Sequence, residues 1–183
     1  MKITITSHWE QGKEIVRYSF YQTFFGPALI ASTSKGICFL AFGEEEKTIP
    51  ELKKRYPGAV FKNRFDAFQL SAKALVNGEE PSVKPLPLHI GGTDFQMVVW
   101  KSLLRIPSGE LRTYRQIATT IGKPTAWRAV ASAVGNNPVA YLIPCHRVIR
   151  SNGHLGGYRW GVGFKQKMLD VEELKKNASP DCK

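Results

Sequence analysis

The sequence predicts an α+β chain in two parts: an N-terminal domain, residues 1–88, built on an antiparallel sheet with helices, and a mostly helical C-terminal domain, residues 89–183, containing a helix-turn-helix. Three observations carry this. Over the first forty-odd residues, short apolar runs alternate with polar positions and turn signals, as half-buried strands do. From Thr93 onward, apolar residues repeat at helical spacing between side-chain caps and glycine stops. Between the two lies GEEPSVKPLPLHIGGT, whose three prolines and paired glycines read as an extended connector. A chain of 183 residues suffices for two small domains, and 43% hydrophobic with 11% aromatic residues is the composition of a folded protein.

In chain order, VRYSF, ALIAST and GICFLAF read as strands, with SKG as a hairpin signal between the last two. Thr48 and Glu51 form a capping box for a helix from Thr48 to Tyr56, with Pro50 in its first turn. A second helix, Arg64 to Asn77, places Phe65, Phe68, Ala72, Leu75 and Val76 on one face and stops at Gly78. Thr93 and Gln96 cap a helix through Leu104, with Phe95, Val99 and Leu103 in register. Thr113 and Gln116 cap YRQIATTIG, and Lys123-Pro124 turns the chain into TAWRAVASAVG, ended by Gly135. These two short helices form the helix-turn-helix. A last helix spans Phe164 to Lys175.

No run of about 18 apolar residues occurs and MKITITSHWEQG has no apolar signal region, so an intracellular protein is expected, with no membrane partner. Cys38, Cys145 and Cys182 are an odd number at wide spacing, which suits neither a disulfide framework nor a zinc site of paired Cys-x-x-Cys. Cys38 reads as core and Cys182 as part of a polar tail.

The net charge of +11 is lopsided. Residues 1–88 hold 12 Lys/Arg against 9 Asp/Glu, whereas residues 89–183 hold 14 against 6. From Lys101 to Lys167 there are 11 basic residues and a single acid, Glu110. Such a stretch is the footprint of a polyanion-binding surface, and nucleic acid is the expected partner.

The helix after Lys123-Pro124 is small-sided, with Ala126, Ala129, Ala131, Ser132 and Ala133, which lets its backbone approach a partner closely. Arg128 lies in its first turn with no acid nearby in sequence. GNNPVAYLIPCHRV follows: a tight turn, an apolar strand-like run, then Cys145 between Pro144 and His146, with Arg147, Arg150 and Arg159 beyond. Neighbouring positive charge lowers a thiol pKa, and this segment makes poor core, so Cys145 reads as a nucleophile rather than a structural thiol. His146 is the candidate base, and Glu172 is one of few carboxylates available to orient it. Tyr158, in GGYRWG, is a candidate aromatic wall, and His154 reads as a loop residue.

PCHRV, with GGYRWG downstream, GNNP before it and a helix-turn-helix carrying Arg128 upstream, resembles the O6-alkylguanine-DNA alkyltransferases, most closely the bacterial members, from about Thr93 to Glu173. The first half resembles the family's N-terminal domain more weakly. The resemblance implies a ribonuclease-H-like first domain and a winged-helix-like second one. It implies single-turnover transfer of the alkyl group from O6-alkylguanine in DNA to Cys145; whether O4-alkylthymine also serves is not given by the sequence. His146 is then the base, working through a water, and Glu172 completes the relay. Asn137 ties the turn after the recognition helix to the active-site strand. Tyr114 bonds the flipped guanine, Arg128 fills the gap it leaves, and the carbonyls of Cys145 and Val148 accept from its amino group. Tyr158 flanks the alkyl group and Lys165 positions the relay. The recognition helix, with Ala129 in its small-sided surface, enters the minor groove of double-stranded DNA. A monomer with no cofactor and no metal is implied, cytoplasmic in a bacterium and nuclear in a eukaryote. The zinc-binding and activator portions of adaptive-response members are not expected.

Three positions depart from the family pattern. Ala140 stands where certain members have proline beside the alkyl pocket, and Arg159 where they have a small residue. Weaker use of bulky benzyl adducts is therefore expected, and equal rates for benzyl and methyl guanine would refute it. Trp127 replaces a small residue, and either faces the protein or touches DNA. Only His8, His89 and Cys38 of the first domain could hold zinc, so none is expected. Two other readings compete: a lesion sensor or helix-turn-helix regulator without transfer, and a cysteine hydrolase, which turnover of a small ester would favour.

Overall fold

The computed structural model describes residues 3–6 and 14–178, in two compact units. The first runs up to Gly92 and also takes in Pro138–Leu142; the second holds Thr93–Asn137 and the chain from Ile143 on.

In the first unit, β2 (Ile15–Thr23), β3 (Gly26–Thr33) and β4 (Gly36–Phe42) form the expected antiparallel centre. Every residue of β4 is buried, which is why GICFLAF is apolar without alternation. Three further strands escaped the sequence reading: β1 (Ile3–Thr6), β5 (Val60–Asn63) and β6 (Leu86–His89), each of four residues. All join in parallel, giving a six-stranded sheet in the order β1-β6-β4-β3-β2-β5. Parallel neighbours need crossovers, and the helices α1 (Glu45–Arg55) and α2 (Ala67–Asn77) provide them. Leu86–His89, read as connector, is thus a strand of this sheet.

Both helices begin away from their expected starts. Helix α1 starts three residues before Thr48, with Glu45 and Glu46 in its first turn, where carboxylates meet the positive end of the helix dipole. The Thr48 hydroxyl instead donates back to the Glu44 carbonyl at 2.9 Å. Helix α2 starts at Ala67 because Asp66 caps the Gln69 amide, which leaves Phe65 outside the helix and 65% exposed. Of the zinc candidates, His8 lies outside the described residues. His89 Nδ1 is 2.8 Å from Thr33 Oγ1 in the core, and Cys38 is fully buried.

The second unit is built on α3 (Asp94–Leu103), α4 (Tyr114–Thr120), α5 (Trp127–Gly135) and α6 (Val162–Ala178). Both expected capping boxes are present, at Thr93/Gln96 and Thr113/Gln116. Its anchor is Trp100, fully buried on α3, whose indole N–H donates to the Ala133 carbonyl of α5 at 2.8 Å. Val99, Leu103, Ile117, Ala118, Val130 and Met168 are also buried. Two short strands, β7 (Arg112–Thr113) and β8 (Val148–Ile149), pair in parallel and fix the starts of α4 and of the chain after Cys145. Among the described residues no helix is long and apolar enough to cross a membrane.

Candidate active site

Cys145 does not lie on a strand. Cys145–Arg147 forms one 3-10 turn, opened by Pro144, with the Arg147 amide donating to the Pro144 carbonyl at 3.1 Å. In a 3-10 turn successive side chains point about a third of a turn apart rather than to opposite faces. Cys145, His146 and Arg147 can therefore each meet a different partner. Asn137, fully buried, fixes the first: its Nδ2 donates to the Ile143 carbonyl at 2.9 Å and to Cys145 Sγ at 3.1 Å.

Behind the thiol is a buried ion network. His146 Nε2 lies 2.9 Å from Glu172 Oε1. Arg147 grips the same carboxylate, Nε to Oε2 at 2.9 Å and a terminal nitrogen to Oε1 at 2.6 Å, and also donates to the Ile106 carbonyl. The Gly109 amide donates to Oε2 at 3.2 Å. Burial alone would raise the Glu172 pKa, but the His146 and Arg147 hydrogen bonds outweigh it and hold the carboxyl at about 2. An ionised Glu172 accepts from His146 Nε2–H, which makes Nδ1 the basic nitrogen. Burial lowers the His146 pKa below 6.5, with Glu172 pulling the other way, so the imidazole is neutral at pH 7.

The arginines around Cys145 in sequence do not make it a resting thiolate. Burial pushes the Cys145 thiol up, and the Asn137 and Tyr158 hydrogen bonds and the Lys165 charge only partly offset that. Arg147, the nearest in sequence, is spent on Glu172. Lys165 Nζ donates to the Val148 and Leu155 carbonyls, both at 2.5 Å, and burial brings its pKa down to about 8. The Cys145 carbonyl accepts from the Val148 amide.

Cys145 opens on a cleft of about 890 Å³. Tyr114, Arg115, Trp127, Arg150, Tyr158, Arg159 and Trp160 are among its walls. Tyr158 Oη lies 4.0 Å from Sγ, and its ring packs edge-on against Trp160 with centroids 5.2 Å apart. Gly156 turns the chain beside Tyr114 at φ +72°, a backbone conformation that favours glycine. Burial raises the pKa of both tyrosines, so they are protonated donors at neutral pH.

The structure thus groups Cys145, Tyr114, Trp127, Tyr158 and Arg159 at the cleft, and Asn137, His146, Glu172, Val148 and Lys165 behind it. Arg128 and Ala129 are exposed on α5 and are not among the lining residues. Sequence reasoning missed Arg147 as the clamp on Glu172. The available signal was its place beside His146, since a buried carboxylate in so basic a unit needs a cation to hold it ionised. It also missed Arg115, Arg150 and Trp160 as cleft residues.

Comparison with known proteins agrees over both units. Residues 16–89 match the 6-O-methylguanine DNA methyltransferase ribonuclease-like domain, and residues 94–174 the DNA binding domain of the same family. The inducible methylated-DNA–protein-cysteine methyltransferase of Bacillus subtilis is 42% identical over 150 residues, covering 79% of this chain and 83% of that protein. The bifunctional transcriptional activator and DNA repair enzyme Ada of Escherichia coli is 43% identical over 86% of this chain, but the chain spans only 45% of Ada. The crystal structure of Mycobacterium tuberculosis OGT in complex with DNA superposes with a TM-score of 0.71 at 35% identity, covering 87% of this chain and 94% of that one. The chain belongs to the 6-O-methylguanine DNA methyltransferase family, whose ribonuclease-like and DNA-binding domains it carries in that order.

Proposed function

We propose that this protein repairs DNA by direct reversal, taking the alkyl group of O6-alkylguanine onto Cys145 once and for good. The observation that carries this is a buried thiol at the wall of a basic cleft of about 890 Å³, with Asn137 on the sulfur and a His146–Glu172–Arg147 network behind it. The target nucleotide leaves the duplex, at a cost of about a few kcal/mol that a damaged pair reduces. Cys145 loses its proton to His146 Nδ1 through a water, and the ionised Glu172 stabilises the imidazolium. The sulfur attacks the alkyl carbon: the S–C bond forms, the C–O6 bond breaks, and the electron pair goes to the guanine. Tyr114 donates the proton that neutralises it and recovers one from solvent, while the His146 imidazolium releases the thiol proton to solvent. A thioether has no leaving chemistry, so each molecule acts once.

Selection of guanine uses the Cys145 and Val148 carbonyls, each with a lone pair beyond its present hydrogen bond. Tyr158 flanks the alkyl group, and Lys165 holds the Val148 strand in place. Helix α5, with Arg128 and the small Ala129, approaches the minor groove of double-stranded DNA. The monomer suffices, with residues 89–183 carrying the chemistry and residues 1–88 supporting it, in the cytoplasm of a bacterial cell.

Intact-protein mass spectrometry after incubation with duplex DNA containing O6-methylguanine tests this, with peptide mapping and Cys145→Ser as control. One added methylene mass on Cys145 per protein is expected. Binding to the duplex without any mass change would leave a lesion sensor instead.

A further inference from the structure

Trp127 sits at the start of α5 and lines the cleft, yet nothing in the transfer chemistry uses it. Two guanidinium groups lie against its indole: Arg128 Cζ is 4.9 Å from the ring centroid and Arg115 Cζ, on α4, is 5.8 Å from it. Neither arginine forms an ion pair with any described residue. Two like charges drawn to one ring repel each other, and the face of an indole is the side chain that holds cations best without neutralising them. The arrangement therefore keeps two cations in place with their full charge still available to a polyanion.

We propose that Trp127 is a positioning residue that fixes Arg115 and Arg128 as one clamp on the DNA, Arg115 for the backbone and Arg128 for the gap the flipped guanine leaves, tying the first helix of the helix-turn-helix to the second. A free arginine at each position would lose side-chain entropy on binding; the indole takes part of that loss in advance. This rests on the reading of the protein as a duplex-binding alkyltransferase and adds a role for a residue that the Cys145 chemistry leaves unused. The ring acts through the arginines rather than on the alkylated base.

Duplex affinity, measured by fluorescence anisotropy with a duplex containing O6-methylguanine, tests it on the full chain. Trp127→Ala and Trp127→Leu are expected to weaken binding about five- to tenfold, whereas Trp127→Tyr, which keeps a π face, stays within about twofold. Trp127→Ala is expected to cost less on an Arg128→Ala background than in wild type, and little once Arg115→Ala and Arg128→Ala are combined. Leucine serving as well as tyrosine would make the ring mere packing bulk and overturn the proposal, as would full additivity with Arg128→Ala. Methyl transfer is scored in parallel: a wild type that binds but takes up no methyl refutes the transfer reading, while the clamp is still judged on affinity. Wild-type protein that fails to bind the duplex overturns both.

Discussion

Replacing Glu172 with glutamine is expected to slow methyl transfer by at least about 100-fold, the usual contribution of a positioned general base. It is expected to lower the unfolding free energy by about 3 kcal/mol as well, since a carboxyl held at about 2 rather than 4.5 gains about 1.4 kcal/mol per tenfold change. Glu172 has two tasks: it orients His146 so that Nδ1 is basic, and it neutralises the partly buried Arg147. Glutamine keeps the shape but leaves Arg147 without its countercharge, and removing one member of a buried pair is costly. The folded-state pKa is depressed, so the stabilisation is complete above about pH 4.5 and is lost as the pH falls through about 2. Urea unfolding of wild type and Glu172→Gln should therefore differ by about 3 kcal/mol at pH 7, with the gap closing towards pH 2. A gap that stays constant over this range would show that the network is not what holds the carboxylate.

Asn137→Ala is expected to cost about 1–3 kcal/mol of stability, because it removes a buried hydrogen bond to the Ile143 carbonyl, which keeps only the Cys145 amide at 2.7 Å, and leaves a small void. It should also move the thiol. The Nδ2 donor favours the thiolate, so its loss pushes the Cys145 pKa higher, and Asn137→Asp, which adds negative charge beside the sulfur, pushes it higher still. Iodoacetamide alkylation of Cys145 followed against pH reads this directly. The profile should shift to higher pH in the order wild type, Asn137→Ala, Asn137→Asp, with transfer rates falling in the same order. Identical profiles for wild type and Asn137→Ala would mean that Asn137 serves the backbone alone.

Much of the site was legible because the chemistry is local. Pro144, Cys145 and His146 are adjacent, and the capping boxes at Thr93 and Thr113 each span four residues, so their hydrogen bonds are set by neighbours along the chain. The central strands β2 to β4 were legible for the same reason, being joined by tight turns. What escaped is what distant segments do to one another. The strands β1, β5 and β6 are too short to show a period, and only parallel neighbours across the sheet make them strands. The start of α1 was misread because the helix begins at Glu45, with Glu45 and Glu46 in its first turn, and Thr48 lies inside it with its hydroxyl turned back to the Glu44 carbonyl.

The thiol is the sharpest case. The sequence by itself singled out Cys145 as the proposed nucleophile and showed that its surroundings in the chain are basic, because both readings rest on residue type and order. Only the tertiary structure decided the charge state. It turned Arg147 onto Glu172, set Asn137 against the sulfur and buried the thiol at the cleft wall, where desolvation outweighs the remaining positive charge. Proximity in sequence brings charges near each other, whereas the balance between burial and pairing depends on which of them face each other once the chain is folded.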